Sequence, residues 1–221
     1  MDLIIDTSSE NLQVILNGSM GIKTSENKNT KHLKHLLPEI EKLLLEQKTK
    51  LDNVDNFCVV LGPGSFTGVR IGVSTIKAFS CAYPAKKLIG INILQLLANT
   101  VIKQLKVNFS FAIIIKSTAT KYYFAQSSSS GVLQLQKLLT IDELEEYILQ
   151  NKLPLFSYGV DENFSTKIVS TKLVLTAKDY VDFVANKKEK KEFLTLNQLK
   201  PIYLALSQAE EELLKKANKN V

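Results

Sequence analysis

The residues with the clearest chemical potential in this chain are residues 62–72, GPGSFTGVRIG in one-letter code. They include four of the nine glycines and the only arginine, Arg70. They follow an apolar run at 57–61 and open a helical pattern that extends to about residue 83. A strand that ends in a glycine turn and continues as a helix presents unpaired backbone N–H groups at a partial positive charge. A phosphate site is therefore the first hypothesis to test.

Neither standard phosphate-binding pattern fits this turn. A P-loop requires GxxxxGK[ST], but Pro63 stands five residues before Gly68, and Val69 stands where the lysine belongs. The dinucleotide pattern GxGxxG fails because Thr67 takes the place of the third glycine. We therefore expect the glycines to permit close backbone packing rather than to form a nucleotide site of their own.

The helix predicted over 66–83 is apolar almost all the way round. Its polar stripe consists only of Arg70, Ser74 and Lys77. Such a helix cannot rest on one sheet with its back in water, so its remaining face is covered either by another element or by another chain. Arg70 suits a bidentate contact to a carboxylate or phosphate, for example to Glu39 or to a partner.

A second chemical candidate is the sequence Asp6, Thr7 and Ser8 at the end of the first predicted strand. These residues are either half of a phosphate cleft or a cap on the strand turn, and we favour the cap. A working cleft needs a second acidic, glycine-rich turn, whereas the matching strand end at 116–118 has neither a carboxylate nor a glycine. A self-sufficient ATPase or phosphotransferase is therefore an alternative that we favour less.

The two histidines, His32 and His35, lie three residues apart on a predicted helix. The HExxH pattern of a metalloprotease is absent because Leu33 follows His32 and the spacing is one residue short. A catalytic metal site also needs a third ligand and an activated water. We therefore expect no metal site and rank a metallopeptidase last.

Composition narrows the class of protein. The chain has 221 residues, a net charge of +6 and a pI near 9.1. Its excess charge is scattered lysine without interleaved aromatic residues, which does not indicate a base-reading surface. No segment reaches the roughly 18 apolar residues of a membrane span, and the N-terminus lacks a basic leader region. We expect a cytoplasmic protein with no membrane contact, in which Cys58 and Cys81 are buried thiols.

The order of predicted elements indicates an α/β protein of two related lobes. The first, residues 1–105, begins with a hairpin that turns at Asn17 and Gly18. It carries helices at about 31–47 and 66–83. The second, residues 106–221, is smaller, and its last helix, at about 207–217, either stays with it or returns to the first lobe.

Three segments together resemble the TsaB (YeaZ) family of bacterial tRNA modification proteins. They are IIDTS at 4–8, His32 with LLPEI at 36–40, and above all the run at 62–72. The resemblance implies an actin-like (ASKHA) fold of two ribonuclease-H-like lobes, the second one reduced. It implies a non-catalytic scaffold and activator that heterodimerises with the catalytic paralogue TsaD and works with the ATPase TsaE. The complex makes N6-threonylcarbamoyladenosine, so tRNA contact would be indirect.

The resemblance also assigns residues. The two first-lobe helices would dock on TsaD. The apolar character of the helix at 66–83 also favours a symmetric homodimer of the free protein through the same surface. No cofactor is expected, except ATP or ADP at a partner interface, and Asp6, Thr7 and Ser8 would be a vestigial phosphate site. The predicted partner-binding residues are His32, Leu36, Ile40, Gly64, Ser65, Phe66, Thr67, Gly68, Arg70, Gly72 and Thr75.

Overall fold

The computed structural model describes residues 1–28, 31–161 and 163–204. Its first half contains five strands and three helices, with a short 3-10 helix at Leu51–Asn53. These elements are β1 (Asp2–Asp6), β2 (Leu12–Gly18), β3 (Gly21–Asn27), α1 (His32–Glu46), β4 (Asn56–Gly62), α2 (Phe66–Ala82), β5 (Lys87–Asn92) and α3 (Ile93–Leu105). The predicted first-lobe helices at 31–47 and 66–83 therefore match α1 and α2 closely.

The described part of the second half contains five strands and two helices. They are β6 (Phe111–Lys116), β7 (Lys121–Ser127), β8 (Leu133–Thr140), α4 (Ile141–Asn151), β9 (Leu155–Tyr158), β10 (Thr171–Lys172) and α5 (Ala177–Glu189). The predicted helix at about 207–217 lies outside the described residues.

The two halves share one sheet topology. The strand orders are β3-β2-β1-β4-β5 and, read from the opposite edge, β8-β7-β6-β9-β10. In each sheet the first three strands pair antiparallel, and the fourth pairs parallel to the first. The prediction of two ribonuclease-H-like lobes in an actin-like fold is confirmed. The second lobe is the reduced one: α2 connects β4 to β5, whereas described residues 159–161 and 163–170 between β9 and β10 contain no helix.

The layers follow from strands that are apolar on both faces. In β1, Leu3 and Ile5 pack with α1 and α2, whereas Ile4 packs with α3 and α5. Helices α3 and α5 thus lie between the two sheets, and α4 covers the outer face of the second sheet. This order leaves α1 and α2 as the outer layer of the first lobe.

The C-terminal part of the described chain returns to the first lobe. Lys188 of α5 pairs with the buried carboxylate of Asp2, with Nζ 3.0 Å from Oδ1. Leu194 bridges to Leu88 at the edge of the first sheet, and the Ile202 amide donates to the Leu61 carbonyl at 2.7 Å. The division of the chain at residue 105 stays a prediction.

Two local predictions were wrong. The hairpin turns at residues 19–20 and not at Asn17 and Gly18, because β2 and β3 pair as far as Gly18 and Gly21. Cys81 is exposed rather than buried, since it lies on the outer side of α2, whereas Cys58 is buried in the first sheet.

Candidate functional site

The start of α2 packs against the turn that follows β1 with no space to spare. An added Cβ at Gly64 would lie 2.2 Å from the Ser8 carbonyl oxygen, and one at Gly68 would lie 2.0 Å from the Thr7 carbonyl oxygen. The Ser65 amide donates to the Ser8 carbonyl at 2.7 Å. Only glycine fits where two backbones approach so closely, so these two glycines fix where α2 begins.

Ser65 then caps the helix, because its hydroxyl accepts from the Gly68 amide at 3.2 Å. One side of α2 is buried against the sheet: Gly68, Val69, Gly72, Val73, Ile76 and Ser80. The outward side carries small or polar residues: Thr67, Arg70, Ser74, Ala78 and Cys81. Phe66 and Arg70 are the bulky exposed side chains at the beginning of this side. The exposed residues further along it, Ser74, Ala78, Cys81 and Ala82, are small, so another backbone could approach α2 closely there.

Helix α1 lies beside α2 and exposes large apolar side chains. Leu33 is 78% exposed, Leu37 is 56% exposed and Leu45 is 70% exposed. A groove of about 650 Å³ separates the beginnings of the two helices. Its lining consists of Ser9, Glu10, Lys31, His32, Leu33, Ser65, Thr67, Gly68 and Ile71. We call the exposed sides of α1 and α2, with this groove, the docking surface.

His32 forms one wall of the groove. Its Nε2 lies 2.8 Å from the Ser9 carbonyl oxygen, whereas its Nδ1 is buried and has no hydrogen-bond partner among the described residues. The described residues contain no group of three or more His, Cys, Asp or Glu side chains that could hold a metal ion. Through its contact with the Ser9 carbonyl, the ring helps to tie α1 to the turn after β1.

Arg70 is held on the first lobe by aromatic residues, and no carboxylate among the described residues pairs with it. Its guanidinium carbon lies 3.7 Å from the centre of the Phe66 ring, and its Nε donates to the Tyr203 hydroxyl at 2.9 Å. The suggested ion pair with Glu39 is wrong. Glu39 instead accepts hydrogen bonds from Ser25 and Asn27, which hold the pKa of Glu39 below its usual value.

Asp6 is buried, and its carboxylate is already occupied. Oδ1 accepts from the Ser8 amide at 2.8 Å and from the Ser8 hydroxyl at 2.6 Å, and Oδ2 accepts from the Tyr180 hydroxyl at 2.6 Å. Thr7 is buried as well, with its hydroxyl against Gly72 and without a partner among the described residues. These groups form a capped turn, which is the alternative that the sequence favoured over a phosphate cleft.

Two tyrosines fill the space beside Asp6. Burial raises the pKa of Tyr158 to about 12, and the Asp6 charge adds to the increase. Burial and the same charge raise the pKa of Tyr180 well above its usual value, so both phenols keep their protons at neutral pH. At the matching strand end of the second lobe, Lys116 pairs with Asp161 at 2.5 Å.

The structure separates the predicted partner-binding residues into two groups. Leu36 and Ile40 are core residues, only 1% and 3% exposed, and Gly68 and Gly72 face the sheet. These residues lie beneath the docking surface, and their role in partner binding stays a prediction. The remaining seven are at least partly exposed. Thr75 lies in the middle of α2, and the other six lie around the groove and the start of α2: His32, Gly64, Ser65, Phe66, Thr67 and Arg70.

Sequence reasoning missed the tyrosines that contact this region. Tyr123 of β7 donates to the Gly64 carbonyl at 3.2 Å, and Tyr203 stacks on Phe66 with ring centres 5.2 Å apart. Tyr180 donates to Asp6 from the second half of the chain, and Tyr158 lies near enough for the Asp6 charge to raise its pKa. No local pattern marks these four among the seven tyrosines, because their roles depend on contacts between distant segments.

A family model described as "TsaD: tRNA N6-adenosine threonylcarbamoyltransferase" matches residues 17–153. The chain belongs to this family. The tRNA threonylcarbamoyladenosine biosynthesis protein TsaB of Buchnera aphidicola subsp. Baizongia pistaciae is 26% identical over 185 residues, which cover 78% of this chain and 83% of that protein. TsaB of Buchnera aphidicola subsp. Schizaphis graminum is 25% identical over 205 residues, covering 87% and 97% of the two chains. The predicted relation to the TsaB (YeaZ) proteins is confirmed.

A solved structure agrees on the fold. YeaZ from Pseudomonas aeruginosa superimposes with a TM-score of 0.72 at 20% identity, over 92% of this chain and 99% of that chain. The names of the family and of these relatives tie the chain to tRNA threonylcarbamoyladenosine biosynthesis. Among the described residues, no helix combines the length and the apolar character that crossing a bilayer requires.

Substituting Gly68 tests the tight contact that positions α2. We expect Gly68→Ala to lower the free energy of unfolding by more than about 2 kcal/mol, although alanine in a helix interior is favoured by about 1 kcal/mol over glycine. The reason is that the added Cβ would lie 2.0 Å from the Thr7 carbonyl oxygen. Urea denaturation measures the change. The neighbouring, exposed Thr67→Ala is the control, and equal stability of both variants would contradict the close contact.

The raised pKa of Tyr158 predicts a pH dependence. The folded state holds the phenol proton more tightly than the unfolded state, whose tyrosine pKa is about 10. The resulting stabilisation is complete below about pH 10 and is lost as the pH rises toward 12. From pH 9 to 11.5, the unfolding free energy of the unmodified protein should fall by up to about 2 kcal/mol more than that of Tyr158→Phe. If urea denaturation shows that the unfolding free energies of the two proteins fall in parallel over this pH range, the pKa of Tyr158 is not raised.

Proposed function

We propose that this chain is a non-catalytic subunit of the machinery that makes tRNA N6-threonylcarbamoyladenosine. It acts as a scaffold and activator and forms a heterodimer with the catalytic paralogue TsaD through the docking surface. The observation that carries the proposal is the pairing of exposed leucines on α1 with the small-residue face of α2, beside a groove of about 650 Å³.

The exposed leucines support a protein partner. Leu33 and Leu37 occupy one side of α1 four residues apart, and Ile71 of α2 lies on the same groove as Leu33. Contiguous apolar area on a surface marks an interaction site. The small residues of α2 allow a helix of the partner to approach closely, which is how ridges of one helix pack into grooves of another.

Arg70 adds a charged element to the same surface. It is exposed, yet Phe66 and Tyr203 restrict its position. An arginine that is held before binding loses less side-chain entropy on binding. Arginine is also among the residues that contribute most strongly to protein interfaces, so Arg70 is the proposed polar anchor at the edge of the docking surface.

A non-catalytic role is supported by the occupied Asp6 carboxylate. Ser8 and Tyr180 use both of its oxygens, so a metal or phosphate site there would require these contacts to break. The second lobe offers a Lys116–Asp161 ion pair at the corresponding strand end. In this proposal the chain has no cofactor of its own, and ATP or ADP binds only at a partner interface.

The rest of the assembly follows from the same proposal. TsaE joins the heterodimer, tRNA contacts the chain only through the complex, and the protein acts in the cytoplasm. Without TsaD, the free chain associates with itself through the docking surface, because an isologous pair would cover the same leucines.

Introducing a charge on the docking surface tests the proposal. We expect Leu37→Glu to weaken binding of purified TsaD at least about 100-fold, because the carboxylate would be buried without a partner. Its stability should change by less than about 0.5 kcal/mol, since Leu37 is 56% exposed. The matched control is Val169→Glu, at a residue of the second lobe that is 91% exposed.

Calorimetric titration with TsaD measures the affinity, and nucleoside analysis of tRNA measures the function. In cells depleted of the protein, Val169→Glu should restore threonylcarbamoyladenosine and Leu37→Glu should not. Equal affinity and equal restoration by the two variants would reject the docking surface. Micromolar binding and turnover of Mg-ATP by the chain alone would reject the non-catalytic role.

A further inference from the structure

We propose that Tyr180 and Tyr123, which both come from the second half of the chain, are positioning residues that hold the start of α2 in its docking geometry. This inference rests on the proposed function insofar as α2 is the docking helix. In this inference, the reduced second lobe positions part of the docking surface of the first lobe.

Backbone contacts connect the start of α2 to the turn after β1. The Ser65 amide donates to the Ser8 carbonyl, and the Val69 amide donates to the Ser65 carbonyl at 2.9 Å. Gly64 and Gly68 bring the two backbones into contact. A displacement of the turn at Ser8 therefore displaces the first residues of α2 with it.

Asp6 holds the turn after β1 in place. Its Oδ1 binds both the amide and the hydroxyl of Ser8. The carboxylate is 3% exposed, and a buried carboxylate is costly unless its oxygens are hydrogen-bonded. Tyr180 supplies the hydrogen bond to the other oxygen, Oδ2, at 2.6 Å.

Tyr180 is itself held in place by its surroundings. It is buried in the core between the two sheets, and Tyr158 at the end of β9 packs against the same core. Its helix, α5, is anchored at the far end by the pair between Lys188 and Asp2. Gln104 of α3 donates to Asp179, next to Tyr180, at 3.1 Å. The phenol is thus a rigid support for Asp6.

Tyr123 gives a second and independent support. It lies on β7 of the second sheet, and its hydroxyl donates to the Gly64 carbonyl, directly before the N-cap residue of α2. Tyr180 and Tyr123 reach the two turns that meet at the beginning of α2, one on each side of the contact between Ser8 and Gly64. The geometry therefore links the second lobe to the docking surface by two hydroxyl groups.

Hydrogen exchange of the isolated full chain tests the inference without a partner. Tyr180→Phe removes only the hydroxyl, and we expect the amides of Ser65 and Val69 to exchange about tenfold faster. The amides of β2 should change less than about twofold, which a general loss of stability would not allow. The control is Tyr147→Phe, because Tyr147 donates to Gln126 at 2.6 Å within the second lobe and does not contact either turn.

Three further measurements complete the test. Tyr123→Phe leaves the hydrogen bonds of Asp6 intact and should increase exchange at the same amides about threefold. This variant still tests the positioning role if Tyr180→Phe fails to fold. The effects of Ser8→Ala and Tyr180→Phe on amide exchange should be non-additive in the double variant, because each substitution removes a hydrogen bond to Asp6. The affinity of Tyr180→Phe for purified TsaD should fall about tenfold, and that of Tyr147→Phe should stay within twofold.

The outcomes separate the two proposals. Unchanged exchange at Ser65 and Val69 in both tyrosine variants would overturn the positioning role, as would strictly additive effects of Ser8→Ala and Tyr180→Phe. If the unmodified chain does not bind TsaD at all, the proposed function fails, while the exchange rates still decide whether the tyrosines hold α2.

Discussion

The contact on which the rest of the structure depends is that between two backbones, at the turn after β1 and at the start of α2. The carbonyl oxygens of Thr7 and Ser8 leave no space for a side chain at Gly68 or Gly64. This contact sets the direction in which α2 leaves the sheet, and so which of its sides faces the core. The outer side of α2 and the leucines of α1 then form a single surface beside the groove. The same glycines that look like a phosphate loop in the sequence are therefore used for packing.

Asp6 is a buried carboxylate whose hydrogen bonds hold the structure together. At the end of β1, for which the sequence left half of a phosphate cleft as an alternative, Ser8 and Tyr180 bind both of its oxygens. The buried charge is compatible with stability because its hydrogen bonds are satisfied. Since Tyr180 comes from α5, the contact also connects the two halves of the chain. The second lobe, which has no second outer helix among the described residues between β9 and β10, thus contributes to the first through its tyrosines.

The α/β elements and their two-lobe order could be predicted from sequence because the elements carry local signals, whereas the actin-like arrangement was implied by the family resemblance. The apolar strands, the helical spacing around Leu36 and Ile40, and the glycine turn each indicate an element within a few residues. The contact face was harder to predict: helical spacing marks Leu36, Ile40 and Gly72 as apolar or small, but it does not say which side faces the sheet. Contacts such as that of Arg70 with Tyr203, or of Tyr180 with Asp6, join residues far apart in the chain. Their existence depends on how the two lobes pack, for which no short pattern exists.

In our proposal, α1 and α2 together form the surface that TsaD covers. Hydrogen exchange of the full chain, with and without purified TsaD, measures which segments TsaD covers. We expect strong protection confined to His32–Glu46 and Phe66–Ala82, with unchanged exchange in the strands Lys121–Ser127 and Leu133–Thr140 of the second sheet. Protection of those strands while both helices stay unchanged would show that TsaD binds elsewhere.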